Sequence, residues 1–167
     1  RVRTSLLRRH VRRPGTEVVR VGGNLAVALP DSLIDLARWN GLMAGVAAMD
    51  AALNNGLCSA EGLQEALARL PETAGGGPRA RQAVRLADGR SESPGESLLR
   101  LRCIELGRAT VPQVELRDAS GHLVARVDLV VDDVVLEFDG AVKYEGADGR
   151  EELVREKARE DAIRALG

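Results

Sequence analysis

Asp128 and Glu137 are charged residues set into a stretch that otherwise reads as apolar strand. His122 to Val131 has the alternation of one strand, Asp132-Asp133 that of a two-residue turn, and Val134 to Phe138 that of the next strand. Side chains alternate between the faces of a strand, so Arg126, Asp128 and Val130 share one face and Val127, Leu129 and Val131 the other. A turn that pairs Val131 with Val134 sets Val130 opposite Val135 and Asp128 opposite Glu137. Directly opposed carboxylates repel, by about 0.2–1 kcal/mol in an exposed pair and by more when buried. A cation between them removes that penalty. Mg²⁺ is satisfied by one or two carboxylates with waters completing the shell. Asp128 and Glu137 therefore read as ligands of a hard divalent ion, Mg²⁺ or Mn²⁺.

Three further residues could join them. Glu96 starts the helix before these strands, and Arg100 follows one turn later on the same face. Ser93-Pro94-Gly95-Glu96 also fits a capping box with proline at the first helical position, and the cap and site roles can coexist. Lys143 is one of two lysines beside 22 arginines. A compact ammonium there could orient a water or stabilise charge on a phosphate, or it could be a solvated loop residue. Asp139 shares the face of Glu137, although Asp139-Gly140 also reads as a turn.

The elements that must hold these residues follow from period and punctuation. Pro94 to Gly107 reads as a helix with Leu99, Cys103 and Leu106 on one stripe. Val111 to Arg117 is a strand, Asp118 to Gly121 a turn, and Arg150 to Leu166 a closing helix after a polar loop. The first half has a different rhythm. Glu17 to Ala28 is a hairpin around Gly22-Gly23-Asn24, followed by helices after Pro30, over Leu42–Leu53 and over Ser59–Leu70, with Ser59 as N-cap. Ala74 to Pro78 reads as a Gly-rich linker and Arg79 to Ala87 as a short helix. We therefore expect two domains, residues 1–88 and 89–167. Leu166-Gly167 resembles a helix end, and a basic arm is an unusual start, so both ends read as incomplete.

Composition narrows the function classes. The chain has 167 residues, 44% apolar and 29% charged, which suits folded domains and excludes general disorder. No apolar run is long enough to span a membrane and no signal peptide is visible, so the expected location is the cytoplasm, with no membrane partner. Cys58 and Cys103 read as reduced core thiols. Three aromatic residues exclude a stacking platform for single strands. The arginine excess and the wealth of Ala, Gly and Val fit a GC-rich genome. The net charge of −1 conceals seven arginines and one glutamate in residues 1–20 against an acidic half from residue 96 onward. The basic arm could touch phosphates or be a solvated edge. His10 and His122 are isolated and read as surface residues. The glycine pairs lack a strand–GxGxxG–helix context, and no nucleophile elbow surrounds any serine.

Asp128, then Glu137-Phe138-Asp139-Gly140 and Lys143, resembles the D…ExDG…H/K pattern of the PD-(D/E)XK nuclease superfamily, and more narrowly the bacterial domains related to very-short-patch-repair endonucleases. The likeness runs from about Ser91 to Gly167. It takes in Ser93-Pro94-Gly95-Glu96 with Arg100, Pro112-Gln113, Val127-Asp128, and Arg155-Glu156-Lys157 through Arg159. It implies an α+β, restriction-endonuclease-like αβββα core, a three-stranded meander flanked by helices, with a further strand after the Leu166-Gly167 step. It also implies metal ligation by Asp128 and Glu137, support from Glu96, and polar contacts from Gln113, Asp139, Lys143 and Arg159. Asp139 stands where the superfamily has its lysine, and Lys143 replaces the histidine common in these relatives. Residues 5–70, with Leu29-Pro30 leading into Ile34-Asp35-Leu36-Ala37-Arg38 and with Asp50-Ala51-Ala52-Leu53, resemble the middle region of actinobacterial AbiEi-type antitoxins.

Two functions follow from these likenesses. One is a metal-dependent DNA endonuclease, with Glu96, Asp128, Glu137 and Lys143 as its catalytic set and Arg100, Gln113, Asp139 and Arg159 in support. The other is a non-catalytic AbiEi-type antitoxin or DNA-binding transcriptional regulator with a cognate toxin, built on a degenerate nuclease-like fold.

Overall fold

Gly22 and Gly23 both take positive φ, 54° and 81°, in the two-residue turn that a tight hairpin requires. In the computed structural model, which describes residues 2–3, 8–138 and 149–166, this turn joins β3 (Val18–Val21) to β4 (Asn24–Val27), with Val18 opposite Val27. Ahead of it, β1 (Val2–Arg3) pairs antiparallel with β2 (Arg8–Arg9). Four helices follow: α1 (Leu29–Asn40), α2 (Leu42–Asn54), α3 (Ala60–Ala68) and α4 (Gly77–Leu86). They belong to the first of two compact units, Arg1–Gly89 and Arg90–Gly167.

Small residues let these helices approach closely. Ile34, Ala37, Val46, Met49, Ala66, Ala80 and Ala83 are fully buried. A Cβ placed on Gly45 would lie 2.4 Å from the Ala37 Cβ, so α1 and α2 cross where neither can carry bulk. Ser59 caps α3 as expected, its Oγ accepting from the Gly62 N–H at 3.1 Å. The expected linker at Ala74 to Pro78 is a packed turn instead. Gly76 has φ 76°, a Cβ there would meet the Arg38 carbonyl at 2.6 Å, and the Gly75 carbonyl accepts from Arg38 Nε at 3.0 Å. Helix α4 therefore starts at Gly77.

Unit 1 also buries an ionic network. Asp31 is fully buried at the start of α1, and Asp35 lies one turn on. Arg13 reaches both, at 3.0 Å and 3.2 Å, Arg38 meets Asp35 at 2.5 Å, and Arg69 meets Asp31 at 2.6 Å. Buried charges persist only when paired in this way. Part of the basic arm is thus internal, because Arg13 is drawn in to neutralise α1. His10 also departs from the surface role expected of it, stacking on Trp39 with ring centroids 3.5 Å apart.

Unit 2 runs helix, three antiparallel strands, helix: α5 (Pro94–Glu105), β5 (Thr110–Arg117), β6 (Leu123–Val131), β7 (Val134–Leu136) and α6 (Gly149–Arg164). The sheet order is β5-β6-β7. Ala125, Val127, Leu129 and Val131 are buried along one face of β6, the alternation the sequence predicts. Cys103, Leu129 and Val131 form a core with Leu99 and Leu136 packed against it. Leu106 does not join that stripe: α5 ends at Glu105 and Leu106 is 78% exposed. The fold is α+β.

Candidate functional site

The β6–β7 register pairs Val131 with Val134 and Val130 with Val135. Carried one residue past Leu136, it sets Glu137 beside Asp128. The third strand stops at Leu136, short of the expected Phe138, because the Phe138 N–H leaves the ladder and donates to Asp128 Oδ2 at 2.8 Å. On the other side, Pro112 pairs with Leu129 and Val114 with Val127, so Gln113 stands opposite Asp128. Gln113, Asp128 and Glu137 thus fall on one row of the register, with Glu137 one residue past the end of β7.

Both neighbouring helices reach this row. Ser93 caps α5, its Oγ accepting from the Glu96 N–H at 3.2 Å. The Glu96 carboxylate accepts from the Glu92 N–H and from Gln113 Nε2, each at 2.9 Å. The cap and the site contact therefore coexist on one side chain. Gln113 holds φ 54°, a left-handed conformation that costs a non-glycine residue roughly 1–3 kcal/mol and concentrates at functional sites. From α6, Arg159 engages both oxygens of Glu137, Nη1 on Oε2 at 2.7 Å and Nη2 on Oε1, while Nη2 also donates to the Arg126 carbonyl at 3.1 Å. Ile163 and Leu166 line a groove of about 620 Å³ with Val130 and Val135 of the sheet. Arg100 is buried one turn beyond Glu96. Asp139 and Lys143 lie outside the described residues.

The electrostatics of the row are uneven. Asp128 is half-buried, and burial pushes its carboxyl above the usual carboxylate range. The Phe138 N–H opposes that shift, the negative charges of Glu96 and Glu137 add to it, and Arg159 opposes it. The carboxylates of Glu96 and Glu137 therefore act together on Asp128, against the guanidinium of Arg159. Among the described residues no three Asp, Glu, His or Cys side chains are grouped as a ready metal cage. The adjacent pair, Asp128 and Glu137, still matches the donor set Mg²⁺ accepts, in which waters supply the remaining oxygens.

Two features escaped the sequence reading. The carboxylates of α1 carried a faint signal, since Asp31 and Asp35 are one turn apart and flank the apolar Leu33-Ile34. Nothing local marked Arg13 and Arg69 as their partners. At the β5–β6 turn, Asp118, Ser120 and His122 come together, with Ser120 Oγ 2.5 Å from Asp118 and 2.7 Å from His122 Nδ1. This is a turn, not a triad. Asp118 also takes the Ser120 and His122 N–H groups, so the aspartate organises backbone, and the His122 side chain is 85% exposed. The Ser120 hydroxyl and the His122 N–H, in that order, hold the Asp118 carboxyl below its usual range.

No protein-family model matches the chain. It is similar to two uncharacterized proteins of Mycobacterium tuberculosis, one from strain CDC 1551 / Oshkosh and one from strain ATCC 25618 / H37Rv. Each is 33% identical over 161 residues, covering 93% of this chain and 56% of the relative. The chain thus spans little more than half the length of these curated relatives. No solved structure matches. No helix among the described residues is long and apolar enough to cross a membrane.

Proposed function

We propose that unit 2 is a divalent-metal-dependent DNA endonuclease domain of restriction-endonuclease-like fold, hydrolysing phosphodiester bonds. The observation that carries this reading is the row of Gln113, Asp128 and Glu137, with Glu96 held against one end of it and Arg159 against the other. Repelling carboxylates weaken a fold, so their convergence in a half-buried position is explained most simply by chemistry. Asp128 and Glu137 would hold the ion, which when bound supplies a Lewis acid for the phosphate oxygen and lowers the pKa of a bound water. Glu96 fixes Gln113, leaving the Gln113 side-chain carbonyl oxygen as an acceptor for a water. The Phe138 N–H fixes the Asp128 carboxylate, so its other oxygen is oriented for ligation. Lys143 would neutralise charge on the phosphate. DNA is the substrate and the cytoplasm the place of action in this reading.

Arg159 on Glu137 favours a second reading, in which the pair is a permanent ion pair and the domain a non-catalytic surface of an AbiEi-type antitoxin or DNA-binding regulator with a cognate toxin. One experiment separates the two. The full chain is incubated with plasmid and short duplex DNA in Mg²⁺ or Mn²⁺, beside Asp128→Ala and Glu137→Ala. Metal-dependent cutting by the wild type, lost in both variants, is the expected outcome. No cutting, together with no ion bound on titration, would sink the nuclease reading.

A further inference from the structure

We infer that Arg159 gates the metal site, occupying Glu137 until a divalent ion displaces it and thereby setting the ion concentration at which the site loads. The inference rests on the metal-binding part of the nuclease reading and concerns its regulation. The guanidinium places one N–H on each oxygen of Glu137, in the fork geometry that Arg shares with carboxylates. A Mg²⁺ or Mn²⁺ ion approaching the same carboxylate needs a free oxygen lone pair at contact distance and is repelled by the guanidinium. Arg159 and the ion are therefore alternative partners of one side chain.

The structure also supplies a reason for Arg159 to stand there and a place for it to be held. Asp128 and Glu137 occupy adjacent row positions, and without a cation they repel; Arg159 is a cation the protein provides itself. Its side chain is about one-third exposed, and Nη2 also donates to the Arg126 carbonyl. The guanidinium can therefore keep a hydrogen bond, or turn to solvent, when it leaves Glu137. A competitor within the site lowers apparent affinity by the fraction of molecules in which the carboxylate is open. The gate makes the site load at a higher ion concentration than an unguarded pair of carboxylates would.

The test is a titration of the full chain with Mn²⁺ alone, free Mn²⁺ being read by electron paramagnetic resonance. The chains compared are wild type, Arg159→Gln, Arg159→Lys, Glu137→Gln and the Arg159→Gln/Glu137→Gln double variant. Arg159→Gln is expected to bind one Mn²⁺ about tenfold more tightly than wild type, a typical coupling between competing ligands. Arg159→Lys, whose ammonium cannot grip both oxygens, falls between them. On the Glu137→Gln background the gain disappears. Should Arg159→Gln melt early, the lysine variant carries the comparison. Mn²⁺ affinity in the folded Arg159 variants equal to or weaker than wild type overturns the gate. DNA cutting with such unchanged affinity rejects the gate and keeps the nuclease. Arg159-dependent Mn²⁺ binding without cutting keeps the gate and rejects the nuclease, and binding by none of the chains rejects both.

Discussion

The two units treat buried charge in opposite ways. In unit 1, the buried carboxylates of Asp31 and Asp35 are met by the guanidinium groups of Arg13, Arg38 and Arg69. In unit 2, Glu96, Asp128 and Glu137 act on one another with Arg159 engaging Glu137, and Asp128 is left with a raised pKa. Removing one partner from a paired buried network is costly, whereas removing a charge that its surroundings disfavour is not. Under the nuclease proposal, the second cluster, and not the first, is the place where this chain gives up stability for chemistry.

The largest effect should come from breaking the compensated side. Asp31→Ala strands Arg13 and Arg69 beside a buried hole and is expected to lose about 3–5 kcal/mol in urea unfolding. A loss under 1 kcal/mol would mean that unit 1 does not depend on its network. Next comes packing in the same unit. Gly45→Ala drives a methyl into Ala37 and is expected to cost about 1–3 kcal/mol, read as a lower melting temperature.

The smallest effect has the opposite sign and sharpens the contrast most. Asp128→Asn keeps an oxygen for the Phe138 N–H and removes the disfavoured charge. Between the ordinary carboxyl value and its raised native value, Asp128 binds more protons folded than unfolded, so wild-type stability falls as pH rises through that window. The asparagine variant should thus equal or exceed wild type in urea midpoint at neutral pH. Its advantage should shrink on acidification through the same window. A variant clearly less stable than wild type at neutral pH would place Asp128 with Asp31 as a structural residue.

Local features of the fold were legible in the chain. The cap at Ser93, the cap at Ser59, the Gly22-Gly23 turn and the inward parity of Val127, Leu129 and Val131 all depend on neighbours a few residues away. The same parity, with the turn at Asp132-Asp133, was enough to bring Asp128 and Glu137 together. Features set by a helix end or by a distant partner were misread. Leu106 carried the right period but fell past the helix end, where the C-cap turns it to solvent. Gly75 to Gly77 looked like a linker because its composition is that of a flexible segment, whereas the lack of a side chain at Gly76 is what lets the turn pack on Arg38. His10 had no sequence neighbour to predict Trp39.

The amino-acid order by itself determined the elements, their faces and the adjacency of two carboxylates on paired strands, because strand alternation and turn length are local constraints. Only the tertiary structure decided how the supporting residues meet those carboxylates. Glu96 reaches Gln113 from the start of α5, the Phe138 N–H leaves the ladder for Asp128, and Arg159 descends from α6 onto Glu137. The physical reason is that a charge is neutralised by whatever the fold brings within hydrogen-bonding distance, and the composition of the chain, with its 22 arginines, could not say which one that would be.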